Sequence, residues 1–145
     1  MTAPGFDFSG SDPTSTGVYL VEDDDLGVLE ASARNTDLVV RRIDLHGCIN
    51  KDDLLQRIAA ALAFPPGFGN NWDALSDCVR DLGWLPGQGY VLLFGHLGNL
   101  RDASEDDFDT LLDVFDEAAE TWAEQGVRFW AFFTLPESAF DALDA

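Results

Sequence analysis

Two stretches of this chain have almost no polar face: Tyr90-Val91-Leu92-Leu93-Phe94 and Val127-Arg128-Phe129-Trp130-Ala131-Phe132-Phe133. Successive side chains of a strand point to opposite sides, so a strand with one wet face alternates apolar and polar residues. Runs that fail to alternate need cover on both faces. A parallel sheet sandwiched between helices supplies that cover. The chain is therefore expected to be α/β, with these runs as central strands of a small sheet.

The remaining pattern agrees with that expectation. Gly17-Val18-Tyr19-Leu20-Val21 reads as a short strand. Asp23 to Arg34 reads as a helix, with Leu26, Leu29 and Ala33 at helical spacing. Leu38 to Leu45 is β-rich and bounded by Asn35 and Gly47. Asn50 caps a helix from Lys51 to Ala63, with Asp53 three residues on in a capping-box arrangement, and Pro65-Pro66 stops it. A helix from about Asn71 to Leu82 is closed by Gly83. Ser104 caps a long helix whose stripe of Phe108, Leu111, Leu112, Phe115, Ala118, Ala119 and Trp122 ends at Gly126. Alternating strands and helices predict a small, mostly parallel sheet packed with helices. With 145 residues and no linker composition, one domain is expected. Residues 1–16 read as a loose arm, 17–37 as a strand–helix extension, 38–135 as the main body and 136–145 as a polar tail.

Charge narrows the partners. There are 27 acidic residues against 8 basic ones, a net charge of −19. Such a surface repels nucleic-acid phosphates and anionic membranes, and steers basic partners inward. From Asp102 onward thirteen acids face a single base, Arg128, so part of the excess is a solvated helix face. The two cysteines form no CxxC, HExxH or Cys/His cluster, so neither a disulfide framework nor a metal site is expected. The N-terminus has neither a basic nor an apolar signal region, and no apolar stretch approaches the ~20 residues of a membrane span. A reduced cytoplasm and a monomer are the expectation. No cofactor motif is present.

The segment Pro65-Pro66-Gly67-Phe68-Gly69-Asn70-Asn71-Trp72-Asp73-Ala74-Leu75-Ser76-Asp77-Cys78 concentrates the candidate chemistry. At about 100° per residue, Asp73, Asp77 and Asp81 share one side of the helix. Leu75, Cys78, Val79 and Leu82 share the other. The aspartates must face solvent, where like charges four residues apart cost roughly 0.2–0.5 kcal/mol per pair. Spacing alone leaves a solvated face and a cation-binding face equally open. Gly67 and Gly69 around Phe68 permit positive φ or close approach of another backbone. Asn71 can cap the helix or bond a partner.

Asn71-Trp72-Asp73-Ala74-Leu75-Ser76-Asp77-Cys78, after Pro-x-x-Phe-Gly, resembles the barstar family of intracellular ribonuclease inhibitors. The likeness runs from about Leu38 to Leu135. It implies that helix and loop enter a ribonuclease active site, with carboxylates standing where RNA phosphates would lie. On that resemblance Asp77 is the central contact and Asp73 a second one. Gly67, Phe68, Gly69, Asn71, Trp72 and Ser76 belong to the docking segment, and Glu117 is an acidic contact on the later helix. Gly83-Trp84 resembles an interface pair, displaced here by two extra residues. Gly67 and Ser76 replace a tyrosine and a tryptophan of the family pattern.

The expected function is thus non-catalytic inhibition of a basic, barnase-like bacterial ribonuclease, akin to antitoxin immunity. The alternative is a module that binds another basic protein, a toxin or nucleic-acid-binding factor, through the same face. An acid/base enzyme using Asp73 and Asp77 is disfavoured, since nothing on an exposed helix distinguishes the two. His46 and His96, far apart in sequence, are expected to be satisfied structural residues. Cys78 is expected to be a buried thiol.

Overall fold

The computed structural model describes residues 16–143. Four parallel strands form one sheet: β1 (Gly17–Glu22), β2 (Val39–Asp44), β3 (Gly89–Gly95) and β4 (Arg128–Leu135), in the order β1-β4-β3-β2. The two apolar runs are the adjacent central strands. All of β3 is buried, as is β4 after Arg128. Their side chains alternate strictly between two cores. Tyr90, Leu92, Phe94, Phe129, Ala131, Phe133 and Leu135 enter the larger one. Val91, Leu93, Trp130 and Phe132 enter the smaller.

Helices cover both faces. The larger core lies under α2 (Lys51–Ala61), α3 (Trp72–Val79) and α5 (Glu105–Glu124). The smaller lies under α1 (Leu26–Arg34), which follows a short 3₁₀ turn at Asp23–Asp25 and contributes Leu26, Leu29 and Ala33. Because β1 and β2 sit at opposite edges, the connection through α1 must cross the whole sheet. The expected strand–helix extension therefore does more than lengthen an edge: its helix roofs the central strands. A second link ties it down. Glu30 accepts from Arg34 on its own helix and from Arg42 on β2, at 2.9 and 3.1 Å.

Several boundaries differ from the sequence reading for physical reasons. A helix that the sequence reading missed, α4 (Gly98–Ala103), follows β3; its six residues carry too few turns to show a period. The tail past Pro136 forms α6 (Glu137–Leu143). The expected arm lies, except for Thr16, outside the described residues. Ser104 stands at the N-cap of α5 as expected, but its side chain caps no helix amide; its hydroxyl donates to the Asp107 carboxylate at 2.9 Å. Asn50 does accept from the Asp53 amide at 2.9 Å, but the Asp53 carboxylate pairs with Arg57. Helix α3 ends at Val79, and Leu82 rather than Gly83 takes the left-handed conformation, at φ 48°. That backbone costs roughly 1–2 kcal/mol, which full burial of the leucine side chain offsets.

Among the described residues, no helix is long and apolar enough to cross a membrane.

The hydrogen bond from Arg34, with the two guanidinium charges, holds the Glu30 carboxyl below its ordinary value of 4.5 despite some desolvation. A lowered carboxyl pKa stabilises the fold above the unfolded value and loses that contribution as pH falls through the folded one. Glu30→Gln should therefore cost up to about 1 kcal/mol at pH 7. Urea unfolding should show the difference from wild type shrinking as pH drops below about 4.5.

Candidate partner-binding site

The loop from Ala63 to Asn71 and the helix that follows it are built as one rigid unit. Two non-glycine residues bend the path, Ala63 at φ 53° and Asn70 at φ 52°, and Gly67 adds a third left-handed position at φ 95°. Nothing lies within 4 Å of where a Gly67 side chain would begin, so only its backbone requires glycine there. Gly69 is different. Its φ is not left-handed, but a Cβ would stand 3.0 Å from the Asn71 amide nitrogen. The sequence expectation of positive φ or close approach thus divides between the two glycines.

Asn71 uses both ends of its amide internally. Its oxygen accepts from the Ala74 amide at 2.8 Å, capping α3, and its nitrogen donates to the Gly69 carbonyl at 3.2 Å. The side chain thereby fixes the loop to the helix start. Phe68 and Trp72 are half-buried against the larger core. Phe68 meets Phe64 edge-on at 4.9 Å. Trp84 also packs edge-on against Phe64, and its indole N–H donates to the Leu62 carbonyl at 2.8 Å. These aromatics brace the loop from below and leave part of each ring at the surface.

The carboxylates stand outside this frame. Asp73 and Asp77 are exposed on α3 and Leu75 and Val79 are buried beneath them, as the helical spacing required. Asp81 leaves the stripe. The helix has ended before it, and its oxygen accepts from the Gly83 amide at 3.2 Å in a local turn. Asp77 is 78% exposed and accepts from Arg80 at 3.0 Å. Sequence reasoning passed over that pair, although its signal was present as opposite charges three residues apart. Ser76 is half-buried and offers its carbonyl to the Arg80 Nε at 3.2 Å.

Between loop and helix runs an open groove of about 260 Å³, walled by Pro65 to Gly69 on one side and by Ala74, Asp77 and Cys78 on the other. The Cys78 thiol is only partly buried, contrary to expectation. Desolvation, with Asp77 and Asp81 nearby, pushes its pKa up, so it stays protonated at neutral pH and is no nucleophile. Glu117 is exposed on α5. That helix is locked to the end of α3 by the buried Trp122 indole, which donates to the Val79 carbonyl at 2.9 Å.

The two histidines, far apart in sequence, meet in the fold. The ends of β2 and β3 bring His46 and His96 together edge-on at 5.6 Å, at the surface, and His96 lies 3.9 Å from Asp23. Among the described residues, no group of three or more His, Cys, Asp or Glu side chains is placed to hold a metal ion.

A small parallel sheet presenting a braced loop and an exposed carboxylate-bearing helix defines an α/β module with an acidic outer face. The sequence matches the family model described as Barstar (barnase inhibitor) over residues 38–134, more than half of the chain. The chain belongs to the barstar family. No curated protein matches it.

Removing the Asn71 amide should loosen the whole loop–helix unit. Asn71→Ala is expected to cost about 1 kcal/mol in urea unfolding, as for other helix N-caps. Trp122→Phe should cost about 1–3 kcal/mol, since it strands a buried carbonyl.

Proposed function

We propose that this chain is a non-catalytic inhibitor of a basic ribonuclease, docking through α3 and the loop before it. The observation that carries this reading is the position of Asp77. It is an exposed carboxylate on a helix whose opposite face is locked into the core, at the rim of a groove, in a chain of the family described as barnase inhibitors. A partner's Arg, Lys or His would form charge-assisted hydrogen bonds with Asp77 and Asp73. Gly67, Phe68, Gly69, Asn71, Trp72 and Ser76 would line the approach, with Trp84 and Glu117 at its margin. The acidic surface would speed encounter and oppose binding to nucleic acid or anionic membranes. Two free thiols suit a reducing compartment such as the cytoplasm.

The carboxylates do not resemble an acid/base pair. Asp77 is 78% exposed, and its carboxylate pairs with Arg80 rather than with Asp73.

A second reading keeps the docking face and changes the partner to another basic protein. The bare backbone at Gly67 favours it, because that point of the groove's outer wall carries no side chain to anchor a target.

The test is inhibition of a panel of small basic bacterial ribonucleases, barnase included. Asp77→Ala should weaken inhibition by roughly 3–5 kcal/mol, the cost of stranding one member of a desolvated charge pair. Glu105→Ala, at the far start of α5, should change it by less than about 0.5 kcal/mol. Equal losses would remove Asp77 from the centre of the site. Inhibition of no ribonuclease, together with capture of a basic protein lacking nuclease activity, would favour the second reading.

A further inference from the structure

Asp77 already has a cation. Arg80 is the C-cap of α3, and its side chain folds back over the last turn. Its Nε donates to the Ser76 carbonyl at 3.2 Å and its Nη2 donates to one oxygen of Asp77 at 3.0 Å. No other acid of the docking helix is held this way. Among the described residues, none pairs with Asp73. The guanidinium is thus anchored at two points, the Ser76 carbonyl and one oxygen of the carboxylate that a partner would most need.

We propose that Arg80 is a built-in competitor for the partner's cation, and that docking displaces it from Asp77. This rests on the inhibitor reading above. The geometry makes displacement feasible. The backbone tether allows Arg80 only one contact with Asp77, whereas a guanidinium arriving from solvent can take both oxygens in the stronger two-point fork. An exposed pair of this kind is weakly held, so a cation in a drier interface outcompetes it. Arg80 therefore discriminates: a cation that binds Asp77 no better than Arg80 does gains nothing by exchange.

The experiment is a double-mutant cycle on inhibition of the most sensitive ribonuclease from the panel. Arg80→Gln removes the charge and keeps a side chain able to reach the Ser76 carbonyl. It should tighten inhibition about two- to five-fold, the range an exposed ion pair implies. In an Asp77→Ala background the same change should do nothing. Arg101→Gln, the same loss of charge on α4, should leave inhibition unchanged. Circular dichroism checks that each variant is folded. Weaker or unchanged inhibition by Arg80→Gln would overturn the proposal and make Arg80 a contact or a support for Asp77. Equal tightening without Asp77, or equal tightening by Arg101→Gln, would overturn it in favour of general charge. A different result separates the parent reading: if Asp77→Ala leaves inhibition intact, or no ribonuclease is inhibited, then Asp77 is not the seat of docking and the competitor role falls with it.

Discussion

Burial of both faces of β3 and β4 is the constraint on which the rest of the molecule depends. Phe94 stacks on Phe133 at 4.4 Å and Phe115 closes over both, so the larger core forms on one side. The pleat then obliges Val91, Leu93, Trp130 and Phe132 to point the other way. Neither set can be left in water. Three helices, α2, α3 and α5, with Leu100 of the short α4 beside them, answer the first demand and α1 answers the second. Helix α3 is one of those three, so its outward face is determined by its inward one. Leu75 and Val79 are fixed in the core, and Asp73 and Asp77 are therefore fixed outside.

The site owes its rigidity to bonds made within it. Asn71, Trp84 and Trp122 each direct their polar group to a backbone carbonyl or amide of a neighbouring element. Such pre-organisation leaves less conformational entropy to lose on docking. It also assigns different work to residues that sequence likeness groups together. Asn71 and Trp84 hold the platform, whereas Asp73 and Asp77 project from it and, on the reading proposed above, are the residues that would meet a partner.

Much of this was legible in the chain because it followed from period. The burial of the two apolar runs, the stripe of α5 and the exposure of the aspartates all came from spacing of two or 3.6 residues. The outcomes that were not legible depended on tertiary contact. Leu82 adopts a glycine-like backbone because its side chain has a place in the core. Asp81 leaves the acidic stripe because the helix stops early, and Ser104 spends its hydroxyl on Asp107. His46 and His96, fifty residues apart, meet only because parallel strands end on the same side of a sheet. Arg80 was visible as a charge but not as a lock, since its reach depends on where α3 ends.

The crossing of α1 bears on how this fold can be subdivided. The stretch that resembles the family begins at Leu38, after α1 has crossed over the sheet. Cutting there would preserve every residue of the proposed docking face, yet it would strip the lid from Trp130 and Phe132. The piece left behind would carry a continuous oily plane the width of three strands, from Val40 across to Trp130 and Phe132, of the kind that draws proteins into aggregates. Similarity marks the part of this molecule that is shared; solubility marks a larger unit, and the two boundaries fall on opposite sides of one helix.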